Sequence, residues 1–243
     1  MAAGTQLLDN FSNKVQGFLY YFSHHDGYKT VLLGLRNTAE IAMLGLLIGI
    51  VFGTVIATTR VIPRTNPVAK FFNGLSGLYV GLFRGTPIVV QLLVFYYVLM
   101  PLMNLHMNSV AVAVVVFGMN SAAYISEIMR AGILSVDSGQ MEGGRAIGLS
   151  YATTMMKIVI PQAVKNILPT LGNEFISLIK ETSVVSFVGA MDLYVAFNRI
   201  GSNSYEFMIP YLVMALIYIV IVLVITLGIK LMERSLRKSD KGI

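Results

Sequence analysis

Charged and amide side chains interrupt an otherwise apolar stretch between Asn166 and Val188, and together they could bind a small charged solute. These polar members are Asn173, Glu174, Ser177, Lys180 and Glu181. On a helix they gather on one side, because positions three, four and seven apart lie close together. A carboxylate complements an ammonium group, while a lysine or an amide complements a carboxylate. The pattern therefore indicates a surface that a zwitterion could contact.

Covalent chemistry has little support in the sequence. No G-x-x-x-x-G-K-[ST] loop is present to hold ATP phosphates, and no G-x-S-x-G motif marks a nucleophile. The three histidines, His24, His25 and His106, stand apart from any carboxylate cluster with metal-ligand spacing, and cysteine is absent from the sequence. We expect no catalytic residue and no metal site. If ATP drives this protein, another chain binds it.

The composition places much of the chain in lipid. Of 243 residues, 56% are hydrophobic and only 12% are charged, with a mean hydropathy of +0.73. An ordinary soluble domain, a disordered tail and a disulfide-stabilised secreted scaffold all fit these values poorly. The net charge of +6 indicates a partner only when the positions of the basic residues are taken into account.

About five membrane-spanning helices are predicted. Three uncharged runs approach or exceed the roughly 20 residues that a spanning helix needs: Ile41–Thr59, Met107–Ser126 and Phe207–Ile229. Another helix, the second span along the chain, would begin near Phe71 and be broken or tilted around Gly85-Thr86-Pro87. The stretch with the polar stripe would be the fourth span along the chain. The predicted fold class is an all-α membrane protein.

Basic residues predict the orientation of these spans. Arg60, Arg64 and Lys70 follow the first span; Arg130, Arg145, Lys157 and Lys165 lie between the third and fourth; Lys230, Arg234, Arg237, Lys238 and Lys241 follow the last. With five spans all of these fall on one side, which the positive-inside rule assigns to the cytoplasm. We therefore expect the N-terminus outside, the C-terminus in the cytoplasm and no nucleic-acid partner.

Three regions follow from this reading. Residues 1–29 would form an extracytoplasmic or interfacial segment, with an amphipathic helix over Phe11–Phe22. Residues 30–235 would form the membrane domain, including a cytoplasmic loop at 137–165, and residues 236–243 a cytoplasmic tail.

The 137–165 loop has the signals of two short helices joined by a turn. Asp137 and Ser150 can cap the first and second helix, with Gln140 completing a capping box for the first. Gly148 can end the first helix in the left-handed conformation. The second helix would extend through Lys157, before a proline. Such a compact projection could dock into a groove of a partner.

The same loop resembles a known motif. Glu142-Gly143-Gly144, three residues, Gly148, nine residues and Ile158-Val159-Ile160-Pro161 match the spacing of the EAA loop of ABC-importer permeases, with glycines in place of its two alanines. Further likeness lies in Phe83-Arg84-Gly85-Thr86-Pro87 with Gln91, in Ala123-Tyr124 with Glu127, in Arg130-Ala131-Gly132-Ile133, and in Gly172-Asn173-Glu174-Phe175-Ile176-Ser177 leading to Lys180. Residues 30 to 235 are similar to the permeases of the polar amino-acid importer family.

The resemblance implies roles for these residues. The coupling helix that seats in an ATPase would include Glu142, Gly143, Gly144, Arg145 and Gly148. Glu174 and Lys180 would face the solute with Asn173 and Ser177 as polar support, although Lys180 could instead pair with a glutamate or reach the membrane surface. Arg84, beside Thr86 and Pro87, could belong to a gate or brace the break, and we favour the brace. Glu181 is favoured as a structural residue.

A multi-subunit assembly is implied as well. The fold would be that of a type I ABC-importer permease of the MetI-like kind, in the inner membrane of a prokaryote. Its expected partners are two cytoplasmic ATPase subunits holding ATP and Mg²⁺, a second permease that is identical or homologous, an extracytoplasmic solute-binding protein and a polar amino acid. The alternatives are a stand-alone secondary transporter or channel, and a membrane scaffold.

Two local patterns concern helix packing. Gly45, Gly49 and Gly53 recur every four residues in the first span and permit close helix approach, either within the chain or across a dimer. Glu127 and Arg130, one helical turn apart, are predicted to form an ion pair.

Overall fold

The computed structural model describes residues 2–62 and 67–240, and they form a bundle of helices. The α-helices are α1 (Ala2–His24), α2 (Gly27–Val61), α3 (Pro67–Gly85), α4 (Ile88–Val94), α5 (Met100–Leu102), α6 (Ser109–Leu134), α7 (Ser138–Ala146), α8 (Tyr151–Thr154), α9 (Ile160–Glu181), α10 (Leu193–Ser204) and α11 (Met208–Asp240). π-Helical turns occupy Phe95–Leu99 and Met155–Val159, and a 3₁₀ helix covers Thr182–Val188. Arg64 and Lys241 of the predicted cytoplasmic set lie outside the described residues.

The predicted all-α membrane architecture is confirmed. Helices α2, α6 and α11 are each long and apolar enough to cross a membrane, and two bent pairs of helices raise the number of described spans to as many as five. The first pair bends by 105° between α3 and the α4–α5 segment, where the sequence predicts a break. The second bends by 55° between the helical run 151–188 and α10.

Helices α2 and α6 form the centre of the bundle. Ile41 of α2 and Phe117 of α6 are fully buried, and Leu92 of α4 and Leu178 of α9 join them in the main core. In contrast, the apolar stretch of α11 is almost entirely exposed, as expected for a helix that faces lipid. The core thus lies where α2, α4, α6 and α9 meet.

The N-terminal helix is longer than the predicted Phe11–Phe22 and packs on the protein. Phe18 is buried in a second core with Phe197 of α10 and Ile209 of α11. Lys14 forms a 2.8 Å ion pair with Glu206 in the turn between α10 and α11, and this hydrogen bond holds the pKa of the Glu206 carboxyl below its usual range. Helix α1 therefore belongs to the folded unit.

The predicted end of the second short helix in the 137–165 loop is wrong. That helix does not stop near Lys157: α8 continues through the π-turn Met155–Val159 into α9. Pro161 lies in the first turn of α9, directly after the wider turn, where its ring and missing N–H are accommodated without ending the helix.

Candidate functional site

The break between α3 and α4 is held open by a buried amide network. Gln91 Nε2 donates to the carbonyl oxygens of Phe83 (2.8 Å) and Thr86 (3.0 Å), and Asn120 Nδ2 of α6 donates to Gln91 Oε1 (3.0 Å). Because Pro87 has no N–H to bond back into α3, carbonyls at the end of α3 need other donors. The two amides supply them and fix the bend against α6.

A cavity of about 310 Å³ opens at this break. Its lining residues are Arg84, Gly85, Thr86, Pro87, Ile88, Asn120, Tyr124 and Glu181. The Arg84 guanidinium lies 5.3 Å from the centre of the Tyr124 ring, a cation–π distance. Glu181 brings a carboxylate from the end of α9, so groups of both charges border one small polar cavity. Such a cavity can orient a small zwitterion.

The residues of α9 that are predicted to contact the solute lie in several environments. Glu174 is partly buried and accepts a hydrogen bond of 3.1 Å from Ser121 of α6. Ser177 is partly buried, while Asn173 and Lys180 are exposed. None of these four lines the cavity at the break. No ion pair joins Lys180 to a glutamate within the described residues.

Three polar residues of the cavity, Asn120, Tyr124 and Glu181, have no solute role assigned from the sequence. Glu181 is predicted to be structural, yet it borders the cavity, because the next position along a helix points about 100° away from Lys180. Asn120 and Tyr124 lie in the third span. The signal for Asn120 was available: an amide inside an uncharged run must find a partner or face a cavity.

The loop between α6 and α9 is well ordered by local hydrogen bonds. Asp137 caps α7 by accepting from the N–H of Gly139 (2.7 Å), and Ser150 caps α8 by accepting from the N–H of Thr153 (3.1 Å). Gly148 takes the predicted left-handed conformation, with φ of +88°. Arg145 Nη1 closes the turn by donating to the carbonyl of Leu149 (2.9 Å). These predicted caps are confirmed.

Contacts fix the loop to the membrane helices that follow it. The predicted capping box at Gln140 is wrong, because its side-chain oxygen accepts a hydrogen bond of 3.2 Å from Gln162 of α9 instead of one from the N–H of Asp137. Gly144 is buried against Thr154, so tightly that an added Cβ would lie 2.5 Å from the threonine methyl group. The loop and the start of α9 therefore form one body.

The outer face of α7 is free of such contacts. Glu142 and Gly143 are exposed, and nothing lies within 4 Å of a Cβ added at Gly143. Ile147 at the end of α7 exposes 78% of its surface. This face of α7 therefore makes no contact within the described chain that would exclude a partner.

Known proteins are similar to this chain over most of its length. Residues 45–238 match the family described as "Binding-protein-dependent transport system inner membrane component". The chain is 36% identical over 210 residues to the arginine transport system permease protein ArtQ of Bacillus subtilis, covering 86% of this chain and 94% of the relative. It is 32% identical to a putative glutamine transport system permease protein GlnP of Rickettsia prowazekii, over 90% and 98% of the two chains.

Solved structures agree with the fold. A chain from "Crystal structure of an amino acid ABC transporter with histidines" superposes with a TM-score of 0.80 at 35% identity, covering 88% of this chain and 98% of that one. A chain of the inward-facing MetNI methionine ABC transporter gives a TM-score of 0.72 at 16% identity, over 86% and 97% of the chains. The second likeness concerns the fold alone.

Proposed function

Because the chain belongs to the family of inner-membrane components of binding-protein-dependent transport systems, we propose that it is the permease subunit of an ATP-driven importer of polar amino acids. As a family member it is a multi-pass protein of the inner membrane and has a transport role. The relatives named for arginine and glutamine transport, and a cavity bordered by Arg84 and Glu181, support an amino acid as the solute.

One observation carries the importer proposal: a rigid loop between α6 and α9 that exposes Glu142 and Ile147. A stand-alone transporter has no use for such a projection. We assign its exposed face to contact with a separate ATPase, with Glu142, Gly143, Gly144, Arg145 and Gly148 forming the contact helix and its turn. The ATPase would bind ATP and Mg²⁺, so the permease itself makes and breaks no covalent bond.

The remaining partners follow from the same proposal. Two ATPase subunits would lie on the cytoplasmic face, with the C-terminus of the permease on that side and the N-terminus outside. A solute-binding protein would deliver the amino acid, and a second permease, identical or homologous, would complete the pathway. Alternating exposure of the cavity to the two sides would move the solute.

Co-purification from native membranes in mild detergent tests the loop assignment. Glu142→Lys should lose the associated ATPase, because it reverses the charge of the exposed acid without touching the buried side of α7. Glu233→Lys near the end of α11 is the matched control and should retain the ATPase. Retention of the ATPase by Glu142→Lys would count against the docking surface. A wild-type permease that purifies alone and still moves solute in liposomes would favour the secondary transporter.

Uptake assays separate two candidate solute-binding surfaces. Binding in the cavity would make Glu181 the partner of the solute's ammonium group. Binding on the polar stripe would instead place the solute against the neighbouring face of α9, which carries Asn173, Glu174, Ser177 and Lys180. If the cavity binds the solute, Glu181→Gln should raise the half-saturating solute concentration about tenfold, and Lys180→Gln should change it less than twofold. The reverse result would place the solute on the stripe.

A further inference from the structure

A carboxylate between two arginines joins α2 to α6 at one end of the bundle. Glu127 of α6 is partly buried, and its Oε1 forms an ion pair with Arg60 in the last turn of α2. Its Oε2 accepts from Nη2 (2.8 Å) and Nε (3.2 Å) of Arg130 on the next turn of α6. Within the described parts of the chain, no other carboxylate forms ion pairs with two cations.

The rest of the contact between α2 and α6, within the described residues, is close but carries no charge pair. Gly45, Gly49 and Gly53 face α6, where a Cβ added to each would lie 3.2 Å from Phe117, 2.8 Å from Ser121 and 2.9 Å from Ile125. Such small residues bring the two helices close together. An ion pair adds a specific link at the end of this contact, because misalignment of the helices leaves a charge without its partner.

The end of α6 that carries Glu127 leads directly into the loop. Arg130 precedes the cap residue Asp137 by only two helical turns. Over those turns α6 is also fixed to α9: Gly132 packs on Ile167 without room for a Cβ, and Asn166 Nδ2 donates to Ser135 Oγ (2.9 Å). A displacement of the loop is therefore passed to α6 and α9 together, and Glu127 is the charged link from there to α2.

We propose that Glu127 is a positioning residue for transport: through Arg60 it makes α2 move together with α6 when the loop is displaced. This inference rests on the proposed function. Without the link, the last turn of α2 would lose its ionic contact with α6, and the ATPase cycle would no longer produce the full rearrangement around the cavity. ATP would then be hydrolysed with less solute moved.

The two arginines allow a matched experiment in the complete complex in liposomes, measuring the amino acid transported per ATP hydrolysed. Arg60→Gln removes the link between helices but leaves Glu127 paired with Arg130, and it should lower this ratio at least fivefold with the basal ATPase rate within twofold of wild type. Arg130→Gln removes only the pair within α6 and should keep the ratio within twofold. Glu127→Gln should match Arg60→Gln, and the double variant should be no worse than either single one.

Equal effects of the two arginine variants, or a normal ratio in Arg60→Gln, would overturn the assignment. If the Glu127→Gln complex does not assemble, the two arginine variants still test the proposal, because in each of them the Glu127 carboxylate keeps one arginine partner. A wild-type complex that hydrolyses ATP without moving any amino acid would refute the proposed function instead, and is recognised before any variant is compared.

Discussion

Glycines recur along both α2 and α3, but the two sets have opposite surroundings. A Cβ added at Gly49 would lie 2.8 Å from Ser121 Oγ, and one added at Gly53 would lie 2.9 Å from Ile125 Cγ2. Around Gly77 and Gly81 of α3, in contrast, nothing of the described chain lies within 4 Å of an added Cβ. Similar spacing therefore marks a closed helix contact in one helix and an open face in the other.

The comparison shows what a glycine pattern can and cannot predict. Spacing of four residues indicates which face of a helix is flat. It does not indicate what covers that face, because the cover comes from a distant part of the chain. For α2 the structure places the contact within the chain, against α6, which answers the choice between an intrachain contact and a dimer that the sequence left open.

The largest effect is expected for a large side chain in the closed face. Gly53→Leu should destabilise the permease by about 3 kcal/mol, because Ile125 and the carbonyl of Ala122 leave no space for it. Thermal unfolding in detergent, followed by the loss of a monodisperse elution peak, measures this change. Gly81→Leu is the matched control and should not destabilise the permease, because nothing crowds its side chain and leucine has the higher helix propensity, worth up to about 1 kcal/mol. Equal losses would show that the open face of α3 is covered in the native assembly.

A smaller effect is expected for two adjacent glycines of α7. Gly144→Ala should lower the free energy of local unfolding of the loop by about 1 kcal/mol, because the clash with Thr154 outweighs the gain in helix propensity. An alanine at Gly143 meets no such contact, so Gly143→Ala should raise the free energy of local unfolding by a similar amount. Hydrogen exchange of the loop amides should therefore be faster than in the wild type for Gly144→Ala and slower for Gly143→Ala.

A second substitution that removes the clash at Gly144 tests that prediction further. Thr154→Ala removes the methyl and hydroxyl groups that a methyl group added at Gly144 would meet, so combining it with Gly144→Ala should restore exchange protection. Failure to restore protection would mean that Gly144 is needed for its backbone freedom rather than for space.

Features set by neighbouring residues could be predicted from the sequence. The caps at Asp137 and Ser150, the left-handed Gly148 and the ion pair between Glu127 and Arg130 all depend on residues within four positions. The second arginine of that cluster, Arg60, is 67 positions away from Glu127 and was not predicted. The axial register of α2 on α6 decides which carboxylate Arg60 meets, and the sequence contains no local signal for that register.

The cavity was predicted only in part for a similar reason. The break at Thr86 and Pro87 is visible in the sequence because proline cannot continue the hydrogen bonding of α3. Which face of α9 meets the break depends on the rotation of that helix, and a difference of one residue exchanges Lys180 for Glu181. Hydrophobic periodicity is a poor guide to rotation in a helix that borders both protein and a polar cavity.

The π-turn at Met155–Val159 acts as a length adjustment in the chain. Such a turn contains one residue more than an α-helical turn, so deleting a single residue from it would let an ordinary α-helix run from Ser150 into α9. Because the wide turn absorbs the extra residue, the loop would keep nearly the same rotation about the helix axis after this deletion. The same deletion in an ordinary α-helical turn would instead rotate the loop by about 100° and move it by about 1.5 Å relative to the membrane helices. The π-turn is thus a point at which the chain could lose one residue without re-aiming the projection.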